Sequence, residues 1–128
     1  MAYIDEKARS RSTEEVFEDH LRLRREGRLE EDLRRNYAED VVLLTCNSNL
    51  TGHDAIRYSA RKLHKQLPEG HFDFISRQVH GKFALLIWRA KSPRFDAIEG
   101  ADTFVIEDGR ICLHTIHYGL VRDHSKVM

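Results

Sequence analysis

Gly100-Ala101-Asp102-Thr103-Phe104-Val105-Ile106-Glu107-Asp108-Gly109-Arg110-Ile111, continuing to Tyr118, is the stretch on which the reading of this chain turns. Apolar residues alternate on both sides of an acidic-glycine turn, the pattern of two antiparallel strands. Asp102 stands among those apolar neighbours, where a carboxylate costs free energy unless it is paired or used. If Asp108-Gly109 is a two-residue turn, Asp102 stands opposite Thr115, and Phe104 and Ile106 share a face with Ile111 and Leu113. If Glu107-Asp108-Gly109 is a three-residue loop with a glycine bulge, Asp102 stands opposite His114, and the shared face carries Cys112, His114, Ile116 and Tyr118. Periodicity alone does not choose between the two.

Two more strand-like stretches, 71–80 and 82–91, lie upstream of the hairpin arms at 95–106 and 110–120. Gly81, Ser92-Pro93-Arg94 and Glu107-Asp108-Gly109 separate them. The N-terminal half is different. Thr13-Glu14-Glu15 opens a helix that Gly27 stops, with acidic residues at the positive end of its dipole. Leu29, Leu33 and Tyr37 recur every four residues and predict a second short helix over 28–37. A strand over 41–45 follows, then loop chemistry at Asn47-Ser48-Asn49 and a third helix carrying Ile56, Ala60, Leu63 and Leu67 on one face. Residues 1–12 lack periodicity and are expected to form a flexible arm, leaving 13–128 as one domain. The order α-α-β-α-β-β-β-β implies an α+β domain in which a curved, mostly antiparallel sheet wraps around three helices.

Composition limits the function. Lys plus Arg equals Asp plus Glu at 21 each, so no net field draws the chain to nucleic acid or an anionic membrane, and neither is an expected partner. The basic clusters Arg22-Leu23-Arg24-Arg25 and Arg34-Arg35 are interleaved with acids and read as ion-paired helix surface. No apolar run approaches the ~20 residues that span a bilayer, and residues 1–11 are charged where a signal peptide needs an apolar stretch. A cytoplasmic address is expected, with Cys46 and Cys112 as reduced thiols. His114 and His117 lie three apart on a strand and point to opposite faces, so they cannot chelate together, and no metal is expected.

His20 occupies the middle of the apolar arc Val16, Phe17 and Leu23 on the first helix, with Arg24 one turn further on. An imidazole on a buried stripe needs a partner, either as a core hydrogen bond or as a pocket group.

Tyr37-Ala38-Glu39-Asp40-Val41-Val42-Leu43, Gly52-His53-Asp54-Ala55-Ile56 and the Asp102 to Ile111 segment, taken in order, resemble the nuclear transport factor 2-like superfamily, in its SnoaL-like and ketosteroid-isomerase-like branch. The resemblance covers about residues 13–121. It implies a cone built from a strongly curved sheet around three helices, a pocket inside, no cofactor, and commonly a homodimer through the outer sheet face. It places Asp102 where isomerase-like members hold a protonated acid, His20 about where they carry a tyrosine that shares its task, and Tyr37 on a supporting tyrosine. It also turns Cys112, His114, Ile116 and Tyr118 into the pocket, which favours the three-residue loop. Where the isomerases carry their carboxylate base, this chain has Thr45, and a hydroxyl cannot take a proton from carbon at neutral pH.

The expected site therefore comprises Asp102, His114 and His20 as acid/base groups, with Tyr37, Trp88, Phe104, Ile116, Tyr118 and Thr45 around a small hydrophobic ligand that bears a carbonyl or hydroxyl. Asp102 either orients His114 as a general base or stays protonated and donates. A buried Asp–His pair that only fixes register is the structural alternative. A non-catalytic dimeric adaptor of the same fold is the other function, favoured if side chains fill the cone.

Overall fold

The computed structural model describes residues 6–122. The first long helix, α2 (Thr13–Arg25), begins where Ser12 and Glu15 form a reciprocal capping box: the Ser12 hydroxyl accepts from the Glu15 amide, and Glu15 Oε1 accepts from the Ser12 amide. It ends at Gly27, whose φ of 73° lets the Arg28 and Gly27 amides return to the carbonyls of Leu23 and Arg24. Helix α3 (Leu29–Asn36) follows at once, and Tyr37, expected as its last residue, instead begins strand β1 (Tyr37–Thr45). The Leu29–Leu33–Tyr37 stripe still faces the core; the backbone changes geometry at Tyr37 because that residue pairs with Ile111 of the last strand.

Strand β2 (Asn49–Thr51) makes a short edge where a loop was expected, and helix α4 (His53–Gln66) crosses to the long strands β3 (His71–His80), β4 (Phe83–Lys91), β5 (Asp96–Glu107) and β6 (Arg110–Val121). The six strands form one open sheet in the order β2-β1-β6-β5-β4-β3, antiparallel throughout except for the β1–β6 pair. The α+β architecture with a curved sheet around helices is thus the one expected.

Curvature comes from breaks in register. Ladders shift between Phe74 and Ser76, between Trp88 and Ala90, between Ile98 and Ala101, and between Val105 and Ile106. Each extra residue bends its strand and raises the local twist, so the sheet coils around α2, α3 and α4. The concave face carries Leu43, Ala84, Leu86, Trp88, Phe104 and Ile106, packed against Val16, Phe17 and Leu21 of α2 and Ile56 of α4. At the bend near Glu99, Gly100 lies under the Trp88 ring: a Cβ there would come within 2.4 Å of two ring carbons. Only glycine lets the indole lie flat against β5.

The N-terminal segment departs from the expected flexible arm. Glu6–Arg9 forms a helical turn, α1, over the final hairpin, where a Cβ at Gly109 would meet the Ala8 carbonyl. Arg11 then donates to Asn36 Oδ1 (2.9 Å) and to the carbonyls of Arg35 and Gly109 (2.7 Å each), which ties the segment to α3 and the β5–β6 turn. Residues 1–5 and 123–128 of the expected arm and domain lie outside the described residues.

Candidate functional site

Neither expected hairpin register is present. Asp108 and Gly109 both have positive φ (52° and 74°), and Glu107 pairs with Arg110, so the turn is the tight two-residue kind. The ladder then slips: Ile106 pairs with Ile111, Val105 with Leu113 and Phe104 with His114, leaving Cys112 as a bulged residue. Cys112 does not face the cone as the resemblance implied. It is half-buried, and its thiol donates to the Val105 carbonyl at 3.4 Å. The bulge moves Asp102 opposite Ile116 and places His114 diagonally across from it on the same face. That diagonal is within reach of long side chains, and the pair forms.

Asp102 and His114 are joined at 2.8 Å through Oδ2 and Nε2, and His114 Nδ1 is joined at 2.8 Å to the Tyr37 hydroxyl. Trp88 Nε1–H donates to Asp102 Oδ1 at 2.9 Å. Donor counting assigns the protons. The tyrosine hydroxyl has a hydrogen to give, His114 Nδ1 accepts it, Nε2–H donates onward, and the carboxylate accepts from both sides. Protonated imidazole would turn two donors outward and leave the Tyr37 hydrogen without its acceptor. Burial likewise lowers the His114 pKa, more than the neighbouring Asp102 carboxylate raises it, and burial together with the charge of Asp32 holds the Tyr37 phenol well above its ordinary value.

A second polar chain backs the first. His20 Nδ1 meets Asp32 Oδ2 at 2.8 Å, Asn36 Nδ2 donates to Asp32 Oδ1 and to Asp19 Oδ2 at 2.9 Å each, and Asp19 also takes the guanidinium of Arg35 at 2.8 Å. The two chains meet as rings. His20 packs edge-on to Tyr37, Phe104 and His114 at 5.2–5.8 Å, and Phe104 lies 4.2 Å from His114. His20 makes its hydrogen bond through Nδ1, whereas both nitrogens of His114 are taken.

The expected residues therefore divide. Asp102, His114, Tyr37 and Trp88 form one hydrogen-bonded relay, with His20 against it. Tyr118 packs on Trp88 at 5.5 Å and donates its hydroxyl to Gln66 Oε1, its phenol pKa raised first by burial and then by the Asp102 charge. Ile116 lies on the same face, half-buried. Phe104 is fully buried between His114, His20 and Phe17, so it forms packing beneath the relay. Thr45 stands apart from the relay: its hydroxyl accepts from the Asn47 amide and closes the loop after β1. His117 is exposed on the outer face, 3.8 Å from Cys46 Sγ. A hollow of about 520 Å³ at the β3–β4–β5 end is walled by Val79, Phe83, Ala84 and Phe104, and does not include Asp102.

Asp32, Asn36, Gln66 and Arg24 belong to this region and were not assigned from sequence. Asp32 and Asn36 are four apart on α3 beside the Leu29–Leu33 stripe, a spacing that would have exposed them. Arg24 was placed on the arc of His20 without a role; its guanidinium lies beside the Tyr37 hydroxyl, where its charge favours ionisation of Tyr37 and opposes protonation of His114.

The SnoaL-like domain model matches residues 17–114, most of the chain, with His20, Tyr37, Trp88, Asp102 and His114 inside the match. The chain belongs to the SnoaL-like family. No curated protein sequence matches it. Among solved structures, a protein from Kribbella flavida is 19% identical, with 88% of this chain and 87% of that one aligned at a TM-score of 0.69. A candidate SnoaL-like polyketide cyclase from Mesorhizobium loti is 14% identical, with 84% and 100% aligned at 0.64. A nuclear transport factor 2-like protein of unknown function from Burkholderia xenovorans is 12% identical, with 87% and 85% aligned at 0.68. At these identities the likeness extends to the fold alone, and this SnoaL-like chain shares the superfamily's open curved sheet.

Because burial lowers the folded pKa of His114, the unfolded chain of this SnoaL-like protein binds a proton near pH 6.5 that the native state refuses. Native stability therefore falls as pH drops through that window, by up to about 1.4 kcal/mol per pH unit from this group. Urea unfolding at about pH 7.5 and about pH 5.5 measures the slope. His114→Gln should be flatter over the same interval; an unchanged slope contradicts the assignment.

Proposed function

We propose that this SnoaL-like chain binds a small hydrophobic ligand bearing a carbonyl or hydroxyl, with Asp102 as the group that meets it. One observation carries this reading: Asp102 is the member of the relay that reaches solvent, its side chain 13% exposed against 3% for His114. Trp88 and Tyr118 flank it as aromatic walls, and Gln66 supplies a polar group beside Tyr118. Apolar walls with a few convergent polar groups are the usual composition of a small-molecule site.

In this reading the Asp102 carboxylate takes a proton from the ligand and returns it, while His114 and Tyr37 keep their own hydrogens and hold the carboxylate in place through the hydrogen bonds Tyr37–His114–Asp102. His114 supports Asp102 and does not touch ligand. His20, held by Asp32 through Nδ1, is the second acid/base group. The chemistry is of the isomerase, cyclase or hydrolase type and draws on side chains without a cofactor. Two free cysteines agree with a reducing, cytoplasmic setting, and among the described residues no helix is long and apolar enough to cross a membrane.

Trp88 is the single tryptophan, and its indole N–H is bound to Asp102, so its emission reports on the site. A screen of small apolar carbonyl and hydroxyl compounds should yield binders that move this emission. Asp102→Asn should stay folded, bind those compounds at least about tenfold more weakly and lose any turnover. Binders that bind Asp102→Asn equally well would refute the role given to Asp102.

A second reading, a non-catalytic dimeric module, has its own support: the rings of His20, Tyr37, Phe104 and His114 fill the deep end of the cone. Both readings include a homodimer through the outer sheet face, where Phe83 is exposed and Ile87 half-buried beside Ala101 and His117. Sedimentation should show a dimer that Ile87→Glu converts to monomer; a wild-type monomer contradicts it.

A further inference from the structure

Arg24 is a half-buried cation without a carboxylate partner among the described residues. Among the described residues Arg11, Arg22, Arg28, Arg34, Arg35, Arg57, Arg77 and Arg89 each lie within 4 Å of a carboxylate, while Arg24 does not; the other arginines without one are exposed, except Arg110, which donates to the carbonyls of Arg34 and Tyr37. The carboxylates inside the cone do not need it. Asp32 is occupied by His20 and Asn36, and Asp102 by Trp88 and His114.

Its position is set by its neighbours. Arg24 is half-buried, four residues after His20 on the same face of α2, with its guanidinium beside the Tyr37 hydroxyl. The next residue, Arg25, has its guanidinium carbon 4.7 Å above the Phe74 ring, and Phe74 pairs with Trp88 across the β3–β4 ladder. This end of α2 therefore lies level with Trp88, whose indole is bound to Asp102. A planar guanidinium has five N–H donors in a fixed fork that fits a carboxylate in two-pronged fashion, and partial removal from water strengthens the contact.

We infer that Arg24 binds the anionic head of the ligand, so that the natural ligand is an apolar small molecule carrying a carboxylate. The head lies against Arg24, and the carbonyl or hydroxyl end lies toward Asp102, away from like-charge repulsion. This inference deepens the ligand-binding reading above and rests on it.

Phenylacetate and 2-phenylethanol serve as probes of nearly equal size that differ in charge, with binding read by calorimetry and by Trp88 emission at low ionic strength. The wild-type chain should bind phenylacetate at least about tenfold more tightly than the alcohol. Arg24→Gln should abolish that preference while binding of the alcohol persists, and Arg24→Lys should retain part of it. Equal binding of the two probes by wild type, or a preference that survives in Arg24→Gln, overturns the carboxylate inference and leaves the ligand site standing. Failure of both probes to bind overturns the inference together with the reading beneath it.

Discussion

The bulge at Cys112 is the constraint on which the rest of the site depends. A tight turn at Asp108-Gly109 continued without interruption would set Asp102 against Thr115 and turn His114 to the outer face. One extra residue in β6 reverses the alternation of everything after it, and brings His114, Ile116 and Tyr118 onto the concave face with Asp102 and Phe104. The relay is a consequence of that single slip. Cys112 stabilises it locally by giving its thiol hydrogen to the Val105 carbonyl beside the break.

Burying this many polar groups is tolerable only because each has its partner. Leaving one buried donor or acceptor unmatched costs about 1–3 kcal/mol, so a network with a missing member is worse than an apolar core. Among the described residues no buried side-chain nitrogen or oxygen lacks a partner. The pairing also gives direction: the hydrogens run from Tyr37 through His114 to Asp102, with Trp88 closing the far carboxylate oxygen. The relay ends at its most accessible member, which is why the proposed ligand contact is placed at Asp102 and not at the more deeply buried histidine.

Much of the fold was legible because its signals are local. Alternation over 71–80 and 82–91 predicts β3 and β4 closely, and Gly27 marks the end of α2. Asp102 and His114 were legible as groups that need partners, since a carboxylate and an imidazole in apolar strands must be satisfied somewhere. Their contact was read from the wrong register, because a bulge after a tight turn leaves no mark in the alternation of Ile111, Cys112 and Leu113. Tyr37 continues a helical stripe, and only its pairing with Ile111 makes it strand. Asp32 sits in the run Glu30-Glu31-Asp32, which reads as solvated surface; its burial follows from the rotation of α3 against α2, where His20 awaits it. Thr45 was drawn in by resemblance; it ends β1, and its hydroxyl accepts from the Asn47 amide of the loop that follows.

The tautomer of His114 tests the account most directly. Long-range proton–nitrogen correlation spectra of the nitrogen-15-labelled protein at neutral pH report which ring nitrogen carries hydrogen. The relay requires a neutral His114 with its proton on Nε2, facing Asp102, and a bare Nδ1 that accepts from Tyr37. A proton on Nδ1, or on both nitrogens, would contradict it.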